Sequence, residues 1–214
     1  MTPLRIRART PAGFSQRDPW SPSLDGILAA ALMRTRLGDD YFTSREADMR
    51  LVDDLPLQIE RDGERWWYCV SSPQTLGAVA QNRRYYHRRF DDQHEGYLVQ
   101  DVKKVLTSAG PYKSTRLYET LIVCKGLQWH AIGDAAEVRR LLASIVQIGG
   151  GRARGQGVVT EWIVDEEGDE EAARLNRPLP VDYALAHGRD GRRMRWGIAP
   201  PARIAAALCD CVMP

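Results

Sequence analysis

Arg152 and Arg154 stand inside the loop Ile148-Gly-Gly-Gly-Arg-Ala-Arg-Gly-Gln-Gly-Val-Val159, where five of twelve residues are glycine. Glycine has no Cβ, so such a loop can take positive φ values and let a ligand approach the backbone closely. Free N–H groups in such a turn can hold an anion. Gly149, Gly150, Gly151, Gly155 and Gly157 would supply them, Gln156 would add a side-chain amide, and the two arginines suit phosphate oxygens. The alternative is a surface turn with solvated arginines. Two nucleotide motifs are excluded. A Walker A loop needs Lys-Ser/Thr after its last glycine, and Gly157 is followed by Val158-Val159. The dinucleotide fingerprint places its third glycine on Arg154 or Thr160, and it runs strand, glycines, helix. Here a helical pattern precedes the glycines and a strand pattern follows them.

Further cations suggest the same ligand class. Arg83-Arg84-Tyr85-Tyr86-His87-Arg88-Arg89-Phe90 interleaves arginines for phosphate with rings for stacking, as a single-stranded nucleic acid requires. A solvated helix face is the plainer reading. Gly110-Pro-Tyr-Lys113-Ser114-Thr-Arg116 is a turn with two cations and two hydroxyls. Arg5, Arg7 and Arg9 alternate with apolar residues and would line the open side of a strand. Trp66, Trp67 and Tyr68 could stack bases, although rings in strands more often pack.

The elements that must position these groups follow from periodicity. Leu4, Ile6 and Ala8 mark one face of a half-buried strand over residues 4–10. Ser23 caps a helix carrying Asp25 in its first turn and a stripe of Leu24, Ile27, Leu28, Ala31 and Leu32. Residues 57–70 read as a hairpin turned at Asp62-Gly63. Leu121–Cys124 and Leu127–Ile132 read as short strands. Asp134 and Glu137 resemble a capping box for a helix with Val138, Leu141, Leu142 and Ile145 inside, ended by Gly149. A strand at 158–165 and a further strand at Val181–Ala186 complete the pattern. The order strand, helix, strand, strand, helix, strand predicts an α+β fold: a ferredoxin-like, RRM-type βαββαβ core. Residues 37–119 form an insertion after the first helix that carries the hairpin at 57–70, and 166–214 form a C-terminal extension of one domain spanning 1–214.

Composition bounds the function classes. The 214 residues carry a net charge of only +2, with arginines clustered in patches, which suggests a bounded polyanion site. No apolar run nears the roughly 20 residues of a membrane span, and no signal-peptide core is present, so the expectation is cytoplasmic with no membrane partner. Cys69, Cys124, Cys209 and Cys211 are too few for a disulfide scaffold, and Cys209-x-Cys211 lacks zinc-knuckle spacing. No cofactor or metal is expected.

Ser23-Leu-Asp-Gly-Ile-Leu-Ala-Ala-Ala-Leu32, the turn at Gly110–Ser114, the loop at Ile148–Val159 and the closing Ala199-Pro-Pro201…Cys-Val-Met-Pro214 together resemble a family. It is the RAMP superfamily of CRISPR effector proteins, most closely the subunit that binds the 5′ handle of crRNA in type IV complexes. The resemblance implies a non-catalytic subunit that grips the handle and caps a helical backbone of other RAMP subunits. It implies contact with a large or small effector subunit, and with target DNA only indirectly, in defence against foreign nucleic acid. A β-hairpin thumb from the inserted region is typical, at Arg83–Phe90 or the segment after it. The rival is a metal-independent crRNA-processing ribonuclease of the same superfamily, which needs a general base and acid. His87, His94, His130 and His187 are the candidates, His87 foremost. Such enzymes usually carry the glycine loop near the C-terminus, whereas here residues 158–214 follow it. A free-standing RRM-like module is disfavoured, because no core strand carries the aromatic RNP1 pattern.

Overall fold

Alternation in the first strand sets the centre of the fold. A computed structural model of the chain describes residues 1–16, 18–43, 45, 48–97 and 105–214. In β1 (Thr2–Arg9), Leu4, Ile6 and Ala8 are fully buried and the intervening arginines point the other way. Leu4 and Ile6 each contribute about 1.5–3 kcal/mol by leaving water, and the Ala8 methyl less. Helix α1 (Leu24–Leu37) begins where the Ser23 hydroxyl accepts from the Gly26 N–H. Its Leu24, Ile27, Leu28 and Ala31 join the same core.

β1 is flanked on both sides. The short β2 (Phe14–Ser15) leaves to another sheet, while β8 (Gly126–Gly133) and β9 (Glu161–Asp165) pair with β1 antiparallel. On the far side of β8 lies β5 (Gln74–Leu76), also antiparallel. The order β5-β8-β1-β9 is the split βαβ arrangement of a ferredoxin-like fold, with α1 and α2 (Ala135–Leu142) packed together on the buried face. The second core strand is therefore β5. Leu121–Cys124, expected in that role, belongs instead to the root of a protruding hairpin. Three residues with one aliphatic side chain give no period, whereas Leu121 and Ile122 look like core because the root is buried and Ile122 pairs with Phe14.

Two hairpins interrupt the core. β3 (Ile59–Asp62) and β4 (Arg65–Tyr68) turn at Gly63, whose φ of 59° suits glycine. Trp67 and Tyr68 are fully buried, so these rings pack and do not stack bases. The second hairpin joins β6 (Ala80–Arg88) to β7 (Thr115–Val123) and leaves the body between β5 and β8.

Past β9 come α3 (Glu170–Leu175), β10 (Leu179–Pro180), α4 (Val181–Ala186), β11 (Arg193–Gly197) and β12 (Leu208–Val212). They build a small sheet ordered β10-β12-β11 around Leu179, Ala184, Ile198, Val212 and the inserted Trp67. Two expectations change. Val181–Ala186 is a helix: Val181, Tyr183 and Leu185 mimic alternation, yet Ala184 is the buried residue and Leu185 is exposed. Helix α2 stops at Leu142 instead of Gly149, because the chain tightens there (Ile145 N–H to Leu142 carbonyl) and turns into the glycine loop. All four cysteines are free thiols, and no helix among the described residues is long and apolar enough to cross a membrane.

Candidate nucleic-acid interface

The β6/β7 hairpin brings together two segments that lie apart in sequence. Register pairs Arg83 with Thr120, Arg84 with Glu119, Tyr85 with Tyr118, Tyr86 with Leu117, His87 with Arg116 and Arg88 with Thr115. Directly opposed residues share a face. One face therefore carries Arg83, Tyr85 and His87 beside Arg116, Tyr118 and Thr120. Its rings and guanidiniums interlock across the strands. Arg116 lies 4.3 Å over Tyr85 and Arg83 5.6 Å over Tyr118, while the Tyr85 and Tyr118 ring centroids are 6.4 Å apart. Tyr85 is 51% and Tyr118 64% exposed, high values for rings on a strand. Arg89 follows β6, and Lys113 and Ser114 precede β7, all exposed at the same distal end, where Arg88 donates to the Pro111 carbonyl. Among the described residues no carboxylate pairs with Arg83, Arg84, Arg88, Arg89, Lys113 or Arg116. A cation–aromatic face without counter-charge suits an unstacked polyanion.

The glycine loop lies at the hairpin's root. Gly151 and Gly155 are left-handed and bracket a single 3₁₀ turn, Arg152–Arg154. Seven N–H groups of the loop are engaged internally: Ile148 to Gly157, Gly150 to Ser15, Arg154 to Gly151, Gly155 to Arg152, Gln156 to Gly151, Gly157 to Gly13 and Val159 to Val146 carbonyls. Gln156 and Gly157 are also buried. The anion cradle expected along the whole loop is thus narrower, because folding the loop onto β2 consumes much of its backbone. For the N–H groups of Gly149, Gly151, Arg152 and Ala153 no acceptor is found among the described residues, and the Arg152 side chain is exposed without an ion pair there. Arg154 is held by Glu119 at 2.7 Å and lies 4.4 Å over Tyr86.

Arg5 and Arg7 occupy the open face of the sheet but are compensated. Both reach Asp165, at 3.3 and 2.6 Å, and Arg9 reaches Glu161 at 3.0 Å. The hydrogen bond from Arg7, and after it that from Arg5, holds the Asp165 carboxyl below the usual carboxylate range. Between this face and the hairpin root runs a cleft of about 840 Å³, bordered by Arg7, Arg9 and Lys125 and walled by Leu76, Val79, Val123 and Ile163. Sequence reasoning missed Tyr118 and Glu119. The run Tyr118-Glu119 carries no period of its own, and only the register shows what each one faces.

The histidines sit on separate elements. His87 is exposed on β6, His187 stacks on Tyr183 at 4.1 Å, and His94 has its side chain outside the described ones. His130 on β8 accepts the Asp169 N–H through Nδ1 at 3.0 Å. Burial pushes its imidazole below the ordinary value, Arg5 adds to this, and Asp169 opposes. A folded value below the ordinary one means that the neutral ring stabilises the fold above about pH 6.5, and that this contribution is lost as pH falls through the folded value. Thermal unfolding should thus shift to lower temperature on acidification from about pH 6.5. His130→Asn, which keeps an acceptor but cannot protonate there, should flatten that part of the profile; an unchanged profile would exclude His130 as its source.

No curated protein matches the chain. Residues 2–204, covering the core, the hairpin and most of the extension, match the family described as CRISPR type IV associated protein Csf3, and the chain belongs to that family.

Proposed function

We propose that this type IV CRISPR-associated protein is a non-catalytic RNA-binding subunit that grips the 5′ handle of crRNA and caps one end of a RAMP backbone. The observation that carries this reading is the exposed hairpin face on which Arg83, Arg116, Tyr85 and Tyr118 interlock with no carboxylate among the described residues. The handle backbone runs along the hairpin arginines and Lys113, and unpaired bases stack on the tyrosines. Arg152 and the N–H groups around it take a phosphate at the root. Arg5 and Arg7 contribute only by exchanging Asp165 for phosphate. Handle preference comes from splayed bases and 2′-hydroxyls. Other RAMP subunits and a large or small effector subunit are the protein partners, and target DNA is reached through the guide. Against cleavage stand the dispersed histidines and the engaged Nδ1 of His130.

Tagged protein recovered from its host should carry RNAs with one uniform 5′ end, and RNA with scattered 5′ ends, or none, would overturn the assignment. Purified protein incubated with repeat RNA and chelator should retain it uncut. A metal-independent product would instead assign a processing ribonuclease.

A further inference from the structure

Glu119 is a negative charge set among cations. Arg84 faces it across the hairpin, and Arg116 lies three residues before it on the same strand. On charge alone it weakens any polyanion site, so its presence calls for another role. Its side chain is only 13% exposed. One oxygen receives Arg154 Nη2 at 2.7 Å and Gln156 Nε2 at 2.8 Å. Burial pushes the carboxyl up, but the polar groups of Arg154, Ser15 and Gln156 around it outweigh this and hold it below the usual range. The other oxygen lies against the loop backbone: a Cβ at Gly151 would stand 3.0 Å from it and 2.5 Å from Gln156 Oε1. The missing side chain at Gly151 is what lets the loop close on the carboxylate. Arg154, so held, covers the Tyr86 ring of β6. One carboxylate thereby ties both hairpin strands, the glycine loop and β2 together.

We propose that Glu119 is a positioning residue, which acts through Arg154 and Gln156 to fix the hairpin's orientation over the glycine loop. Its consequence for RNA rests on the function proposed above; its effect on the free protein does not. Hydrogen exchange of the RNA-free protein, followed by mass spectrometry, tests the second part. Glu119→Ala should speed exchange in residues 80–88 and 150–157 by about ten- to a hundredfold, the scale of the charge-assisted hydrogen bonds removed. Segments in β8 and α2 should keep their protection. Glu119→Gln, which retains an oxygen acceptor but not the charge, should fall between. Unchanged exchange in both segments, or a uniform rise across the chain in both variants, would overturn the proposal. A second measurement uses the opposite signs of the two effects. Loss of a carboxylate should tighten binding of a repeat-derived RNA if charge alone matters, whereas loss of positioning should weaken it about tenfold. Tighter binding would overturn the positioning role. If the unaltered protein binds no such RNA, the functional reading fails while the exchange result still decides the role of Glu119.

Discussion

Arg177→Ala is expected to lower folding stability by about 3–5 kcal/mol, the cost of stranding a buried charge. Arg177 and Asp25 are 6% and 5% exposed and lie 3.6 Å apart. The guanidinium also donates to the carbonyls of Tyr68 and Ile198. It thus joins the first turn of α1, the end of β4 and the segment after β11, three pieces from the core, an insertion and the extension. Truncation leaves Asp25 without its ion-pair partner and two carbonyls without this donor, at a site where both charged side chains are almost fully buried. A paired replacement, Asp25→Asn with Arg177→Met, removes both charges and should recover more than half of the loss. Urea unfolding measures both. A single-variant cost below about 1 kcal/mol would mean that water already reaches the pair.

Replacing Arg83, Arg84 and Arg88 together by alanine should weaken binding of single-stranded handle RNA by at least about a hundredfold at physiological salt. The slope of log affinity against log salt should fall by about 2, at roughly 0.7 per phosphate contact for a single strand. Fold and thermal stability should hardly change, because all three side chains are exposed and none forms an ion pair among the described residues. By contrast, Arg5 and Arg7 are already paired with Asp165, so their joint replacement should affect the slope less. Fluorescence titration of labelled RNA at several salt concentrations separates the cases, and an unaltered slope in the hairpin variant would remove the hairpin from the interface.

Much of this architecture could be read before any coordinates. Leu4, Ile6 and Ala8 alternate without interruption, and Ser23 and Asp134 cap their helices as their types demand. The Asp62-Gly63 turn forms because only that dipeptide in its region suits a tight reversal. What escaped depends on partners distant in sequence. Gln74–Leu76 is a strand because β8 offers it an edge. Arg5 and Arg7 look like free cations until β9 sets Asp165 beside them. Arg83–Arg89 and Lys113–Arg116 were each recognisable as basic segments, but only strand register shows that they form one surface. Glu119 carries no local signal at all, since its meaning lies in a loop that returns to it from residues 151–156.

The position of β6 in its sheet has one more consequence. Among the described residues, in the order β2-β7-β6, it is the outer strand, nine residues long and exposed throughout. A bare edge of that length is a template on which a second chain can lay a strand and begin to aggregate. Arginine at three of its nine positions makes that docking electrostatically unfavourable between copies, and the same charges favour a polyanion. Under the proposed function, colloidal solubility and RNA affinity would therefore depend on the same side chains, and neither could be tuned without the other.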